Sequence, residues 1–154
     1  MIKVLKDTPL SELTLRRYEK PSKLNDRELV KKFCLSLGLL QPGDSRDVVV
    51  DILHVLLKAK QDKKTLSSED LTQKVHEERK KAKVPLTGIA NSNIRRQLRR
   101  LRELFIVEKV KNAYRITEFD GVKNNIQEKT EKFLLLSIVE RVKEYANAVD
   151  ERFK

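Results

Sequence analysis

The chain has 154 residues, of which 39% are apolar and 37% charged, and its formal net charge is +11. This length suits one domain of ordinary size with added helices, the single cysteine, Cys34, excludes an intramolecular disulfide, and the Lys- and Glu-rich composition is typical of thermophile proteins. No signal peptide can be read, and the longest apolar tract, residues 133–139, is too short to span a bilayer, so we expect a cytoplasmic protein without a membrane segment.

The N-terminal stretch is predicted to contain a short helix. Pro9 after Thr8 favours a helix start, and Pro21 would end the helix that runs through Tyr18. The basic run within this stretch, LTLRRYEKP, either lies over the domain or a partner or is a frayed arm.

A second helix is predicted from Asn25 or Asp26 to about Leu37, and Gly38 is placed to close it. The expected apolar face of this helix consists of Leu29, Phe33 and Leu37. The QPGDS run at 41–45 then predicts a loop.

Residues 46–60 are apolar nearly all round a helix, which predicts a central helix that is buried on most sides. His54 lies within this run and is expected to be packed and hydrogen-bonded rather than catalytic. Ser67 is a good N-cap for the next helix, predicted over about 68–82.

The helix over 68–82 is expected to turn Leu71, Val75 and Ala82 inward. Its charged run, HEERKKAK, is expected to be mostly a solvated face. Three lysines at its end could still contact phosphate: Lys80, Lys81 and Lys83. The VPLTG run at 84–88 predicts a turn, because proline ends a helix.

The helix predicted over about 90–104 carries the most informative pattern. Its apolar stripe, Ile94, Leu98, Leu101 and Phe105, must face a core. Five arginines occur in the eight positions 95–102 with no acid among them, so the other side of the helix carries concentrated positive charge. Guanidinium groups suit phosphate and the O6/N7 edge of guanine. This pattern favours a DNA-reading helix over an ordinary solvated basic face.

Two short strands are predicted over residues 106–117, because β-branched and aromatic residues alternate there with charged ones. Lys111 and Asn112 form the expected tight turn. Lys109, Lys111 and Arg115 would extend the positive surface onto this hairpin.

Residues 46–117 resemble a winged-helix domain of the bacterial and archaeal transcription-regulator type. The run GIANSNIRRQLRRLRELFIVEKVKNAYRIT follows that family's turn, recognition helix and wing. The resemblance implies a recognition helix in the major groove, a wing on the backbone or minor groove, and usually a homodimer. The implied base-reading residues are Ser92, Asn93, Arg96, Arg99 and Arg100. The implied DNA-backbone contacts are Arg95, Arg102, Lys109, Lys111, Asn112 and Arg115. The sequence departs from the family at Phe105, where Gly is common, and in its short wing, which contains no glycine.

The distribution of charge agrees with this assignment. Residues 63–116 carry 15 basic and 6 acidic groups, a net +9, whereas residues 1–62 carry a net +3 and residues 117–154 a net −1. A generally basic surface would have spread the excess more evenly.

A long helix is predicted after residue 121. It carries an apolar seam with a spacing of 4, 3, 4, 3, 4, formed by Leu135, Val139, Val142, Ala146, Val149 and Phe153. About two and a half heptads are fewer than a free-standing coiled coil needs, so packing on the protein's own N-terminal helices is the alternative to dimerisation. Further apolar residues widen the surface: Phe133, Leu134, Leu136 and Ile138. We therefore expect intramolecular contact near 133–138 and a two-fold contact nearer the end.

The expected fold class is mainly α with a small β-hairpin. It comprises an N-terminal arm and helix (1–45), a winged helix-turn-helix domain (46–119) and a C-terminal helix for dimerisation (120–154). The expected function is a homodimeric, sequence-specific transcription regulator that binds double-stranded DNA. The alternatives are a non-specific or architectural nucleic-acid-binding protein and a protein–protein adaptor. Nucleotide-binding, hydrolase and zinc-site motifs are absent from the sequence, so no catalytic residue, metal or cofactor is predicted. No small-molecule effector site can be read.

Overall fold

The structure, a computed structural model, describes residues 7–154. It is mainly helical and contains a three-stranded antiparallel sheet in the order β1-β3-β2. The elements up to the hairpin are α1 (Asp26–Ser36), α2 (Val48–Gln61), β1 (Leu66–Ser67), α3 (Ser68–Lys81), α4 (Asn91–Glu103), β2 (Val107–Val110) and β3 (Ala113–Ile116). A 3₁₀ turn, Thr117–Phe119, leads into the C-terminal helix α5, which is α-helical over Val122–Asn125, π-helical over Ile126–Leu135 and α-helical over Leu136–Arg152.

Residues 8–24 of the N-terminal arm form neither helix nor strand, so the helix predicted there is wrong. The first six residues of the predicted arm lie outside the described part of the chain. Arg16 fixes the arm, because its guanidinium donates to the carbonyl oxygens of Leu35 (3.1 Å) and Leu40 (3.3 Å). These bonds hold the arm against the end of α1 and the loop that follows it. The tertiary contacts therefore override the local helix signal.

Helix α1 begins and ends close to its predicted bounds. Asn25 is the N-cap, and its side chain accepts a hydrogen bond from the Glu28 amide at 2.8 Å. The predicted apolar face is shifted, however, because Val30 and Cys34 are the buried residues of the helix and Leu29 is exposed. Leu37 is buried as expected.

Helix α2 is the centre of the core. Every residue from Val48 to Leu56 is buried, which confirms the prediction of a helix enclosed on most sides. The Ser67 cap of α3 is also confirmed, since its hydroxyl accepts from the Asp70 amide at 3.2 Å. Leu71 and Val75 are buried as predicted, but Ala82 is exposed because α3 ends at Lys81.

A buried ionic cluster joins α1, α2 and α3. Arg79 is 0% exposed, and its Nη1 lies 2.6 Å from an Asp51 oxygen and 3.0 Å from an Asp47 oxygen. Arg27 of α1 reaches the same two carboxylates at 3.0 and 3.1 Å. The Arg79 Nε donates to the carbonyl of Pro85 at 2.7 Å, in the turn before α4. The expectation that the charged run of α3 is a solvated face is therefore wrong at Arg79.

The sheet contains the predicted hairpin and one further strand. β1 pairs with β3 through only two residues, which is too short to be recognised from sequence alternation. The turn at Lys111 and Asn112 has positive φ at both residues (50° and 63°), as a two-residue type I′ hairpin requires.

Helix α4 ends earlier than its apolar stripe predicts. Ile94, Leu98 and Leu101 are fully buried, but Phe105 lies beyond the helix with a φ of +64° and is 38% exposed. The amide of Phe105 donates to the Arg102 carbonyl, and that of Ile106 donates to the Leu101 carbonyl at 3.1 Å. This pair of bonds is the helix-closing arrangement that usually has Gly in the left-handed position. The prediction of Phe105 as a core residue is wrong.

The C-terminal helix is attached to the domain over its first half. Val122, Ile126 and Leu134 pack against the core, and the buried Thr130 hydroxyl donates to the Leu104 carbonyl at 2.7 Å. These positions recur every four residues, whereas a regular α-helix drifts about 40° per four-residue step. The π-helical part, with i→i+5 hydrogen bonds, turns less per residue, so its drift has the opposite sign.

The second half of α5 projects from the domain. No residue of Leu136–Arg152 is buried. Among the helices in residues 7–154, none combines the length and apolar character needed to cross a membrane.

Candidate nucleic-acid interface

Four arginines of α4 form one exposed face, which we call the arginine face: Arg95, Arg96, Arg99 and Arg102. At about 100° per residue these positions span an arc of roughly 120° on the side away from the core. Within the described part of the chain none of them forms a salt bridge with an acid, and Glu103 is the only acidic residue of α4. The face therefore presents positive charge that neighbouring carboxylates do not neutralise.

Two of the implied base-reading residues are engaged in contacts within the protein. Asn93 donates to the Gly88 carbonyl at 2.7 Å, and Arg100 donates to the Gly38 carbonyl at 3.1 Å. Gln97 lies between them, because it donates to Asn93 at 3.3 Å and accepts from Arg100 at 2.7 Å. This chain of side chains fixes α4 to the preceding turn and to the loop after α1.

Sequence reasoning did not single out Gln97, which is buried. Its spacing of four residues from Asn93 and three from Arg100 is the signal that could have found it, since such positions are neighbours on a helix. No pattern of neighbouring residues in the sequence predicts the contact of Arg100 with Gly38, because the two residues are far apart in the chain.

The other implied base-reading residues are accessible. Ser92 is exposed near the start of α4, and Arg96 and Arg99 belong to the arginine face. Arg96 also donates to the Asn93 side chain at 3.1 Å.

The hairpin carries less free charge than the sequence suggests. Arg115 lies 2.7 Å from a Glu108 oxygen. Burial raises the pKa of Glu108, but hydrogen bonds from the Glu118 amide and the Arg115 guanidinium outweigh it and hold that pKa below its ordinary value. Glu108 is therefore charged and neutralises Arg115. Lys109 and Lys111 are exposed, and Lys109 lies 5.6 Å from the centre of the Tyr114 ring.

A cleft of about 470 Å³ separates the end of α4 from β2 and the start of α5. Arg99, Arg102 and Lys109 contribute cations to its walls, and Phe105 contributes an apolar surface. Glu103 and Glu108 also line the cleft, so it joins the arginine face to the hairpin through a surface of mixed charge. The three lysines predicted as possible phosphate contacts, Lys80, Lys81 and Lys83, are exposed at the end of α3.

The six residues of the seam lie along α5 and the residue after it. Leu135 is half-buried, while Val139, Val142, Ala146, Val149 and Phe153 are exposed. Within residues 7–154, the exposure of the seam from Val139 onward does not fit the alternative in which these side chains pack on the N-terminal helices.

The histidine of α2 is packed as predicted, although its Nδ1 has no hydrogen-bond partner among the described residues. Burial lowers the pKa of His54. Within residues 7–154 no three His, Cys, Asp or Glu side chains are grouped so that they could hold a metal ion.

Comparison of the chain with models of protein families, with curated proteins and with solved structures gave no match. The geometry of the molecule is therefore the basis for a functional assignment.

Proposed function

We propose that residues 46–119 form a winged-helix domain that binds double-stranded DNA. The order α2-β1-α3-α4-β2-β3 and the strand order β1-β3-β2 support this class. The observation that carries the proposal is the arginine face, because it lies on the second helix of the α3-α4 pair, which is the helix that such domains insert into the major groove.

In this proposal the residues of the arginine face and the hairpin contact different parts of the DNA. Arg96, Arg99 and Ser92 read base edges, since a guanidinium can donate two hydrogen bonds to guanine. Arg95 and Arg102 contact the phosphates that flank the groove, and the hairpin adds Lys109, Lys111 and Asn112. Arg115 contributes less because Glu108 neutralises it.

Asn93 and Arg100 act differently from the other residues that the family resemblance implies. Both hold α4 in place, so each would have to leave its present partner to reach a base. Their proposed role is to orient the recognition helix.

The particular function we propose is a transcription regulator that acts as a homodimer through α5. An isologous dimer presents two recognition helices related by a two-fold axis, and such a dimer recognises a palindromic site. The exposed seam supports the dimer.

Architectural, non-specific binding is the second candidate, and one observation favours it. Two of the three amide side chains of α4, Asn93 and Gln97, are bonded within the protein. An arginine-dominated surface gives strong affinity for phosphate without sequence preference.

Selection of sites from a random duplex library at two salt concentrations distinguishes the two candidates. We expect a palindromic motif that persists at the higher salt. Recovery of no motif, with binding that collapses as salt rises, would favour the architectural function. Absence of binding at both concentrations would refute DNA binding and leave the adaptor hypothesis.

Single substitutions then separate base reading from phosphate contact. Arg99→Ala should weaken binding to the selected site by about 1–3 kcal/mol and relax the preference at one base pair. Lys111→Ala should weaken binding to all duplexes similarly and lower the salt slope by about 1. Arg141→Ala is the matched control, because this exposed arginine of α5 lies outside the arginine face and the seam.

A further inference from the structure

The projecting half of α5 exposes an uninterrupted apolar row. Val142 is 62% exposed, Val149 is 55% exposed and Phe153 is 77% exposed. Several large apolar side chains in a row on one helix mark an interaction site, since water contact with them is unfavourable. No residue of Leu136–Arg152 is buried, and Leu135, at the start of the row, is half-buried.

We propose that the occupant of this row is the same row of a second copy, running antiparallel. The seam has a spacing of 4, 3, 4, 3, 4, which reads the same in both directions. When two copies are paired about Glu144, every seam residue therefore meets a seam residue. The three kinds of layer are Leu135 with Phe153, Val139 with Val149, and Val142 with Ala146.

The sizes of the side chains favour the antiparallel pairing over a parallel one. A parallel pair would place Ala146 against Ala146 and Phe153 against Phe153, which leaves one layer thin and another crowded. Antiparallel layers combine Leu with Phe, Val with Val and Val with Ala, so their volumes differ less than those of the parallel layers, and more evenly filled layers pack better. Parallel two-stranded coils also prefer Leu at the positions that Val142 and Val149 occupy.

The sides of the seam support the same orientation. One side of the seam carries Ile138, Tyr145 and Arg152, and the other carries Leu136, Lys143 and Asp150. In an antiparallel pair equal sides face each other, so Tyr145 of one copy meets Tyr145 of the other. Lys143 of one chain then faces Lys143 of the other. The ammonium of each lies 3.5 Å from Glu140 of its own helix, which reduces the repulsion between the two lysines.

This arrangement sets the positions of the two domains. At a rise of about 1.5 Å per residue, the two Leu135 residues would lie roughly 27 Å apart along the paired helices. The domains would then be attached at opposite ends of the pair. The inference rests on the homodimer of the proposed function and is independent of DNA binding.

Cysteine cross-linking of the full chain tests the orientation without DNA. The variants Val139→Cys and Val149→Cys are mixed under reducing conditions and then oxidised. We expect the mixture to give a disulfide between one Val139→Cys chain and one Val149→Cys chain, with each variant alone giving little cross-linked product. Wild type is the control, because Cys34 is buried.

Two results would overturn the proposal. Efficient cross-linking of each variant with itself would establish a parallel pair. A monomer mass for the unmodified chain in sedimentation equilibrium, without any cross-link, would show that the row does not take a second copy. If either variant folds poorly by circular dichroism, the pair Val142→Cys and Ala146→Cys makes the same test. Because no nucleic acid is present, these results are separate from any failure of DNA binding.

Discussion

Replacing Arg79 with Met would test the contribution of the buried ionic cluster. The substitution keeps a long side chain but removes three hydrogen bonds: those to Asp51 (2.6 Å), to Asp47 (3.0 Å) and to the Pro85 carbonyl (2.7 Å). Removal of one partner from a buried ion pair typically costs about 3–5 kcal/mol, because the other charge is left in a low-dielectric surrounding. Arg27 continues to neutralise both carboxylates in part, so we expect a loss of about 3 kcal/mol.

The loss is measured by urea unfolding at neutral pH, with two comparison variants. Arg27→Met removes a partly exposed member of the same cluster, and solvent screening should limit its loss to about 1–2 kcal/mol. Lys80→Met changes the neighbouring exposed residue and should stay within about 0.5 kcal/mol. A loss below about 1 kcal/mol for Arg79→Met would refute the reasoning.

The pH dependence gives an independent check. Burial raises the pKa of Asp47, but hydrogen bonds from Arg79 and Arg27 outweigh it, so the pKa lies below its ordinary value. A carboxyl with a lowered folded-state pKa stabilises the protein above its unfolded-state pKa, and this stabilisation is lost as the pH falls. The difference between wild type and Arg79→Met should therefore shrink in acid. A difference that is constant from neutral to acidic pH would contradict an ionic origin.

Three further predictions follow from the structure. Replacing Val142 and Val149 together by Glu should give a folded monomer, measured by circular dichroism and sedimentation, whereas unfolding would place both in the core of one chain. Gly38→Ala should destabilise the protein by roughly 1–3 kcal/mol in urea unfolding, because the φ of Gly38 is +70° and an added Cβ would lie 2.6 Å from a carbon of the N-terminal arm. Gly43→Ala is the control for backbone strain alone, because Gly43 has a φ of +79° and no neighbouring atom near an added Cβ. Burial raises the pKa of Cys34 to about 12, so a thiol reagent should label it only in denaturant, and rapid labelling of native protein would contradict the packing of α1.

The elements with strong local signals were predictable from sequence. Such local signals are the apolar residues of α2, the Ser67 cap of α3 and the helical spacing of the apolar residues in α4. Each depends only on residues within one or two helical turns of one another. The N-terminal arm was not predictable in this way, because its conformation depends on hydrogen bonds from Arg16 to carbonyls about 20 residues away.

The sequence contains one indication of the buried ionic cluster, although Arg79 itself lies in a charged run that looks solvent-exposed. Asp47 directly precedes, and Asp51 lies within, a helix that is apolar nearly all round, and a buried carboxylate requires a basic partner. That requirement predicts an arginine or lysine nearby without identifying Arg79. The candidate site was likewise predictable only in part. The helical projection of α4 predicts the exposed arginine face, whereas the contact of Arg100 with Gly38 joins residues 62 positions apart and has no local pattern.

The bond from Thr130 to the Leu104 carbonyl has a mechanical consequence. It joins α5 directly to the residue that ends α4, so no flexible linker separates the proposed dimer helix from the proposed recognition helix. A dimer joined in this way holds its two recognition helices at a fixed rotational phase. Inserting about five base pairs, half a turn of duplex, between two half-sites would turn one of them to the far side of the DNA, where the second domain could not reach it.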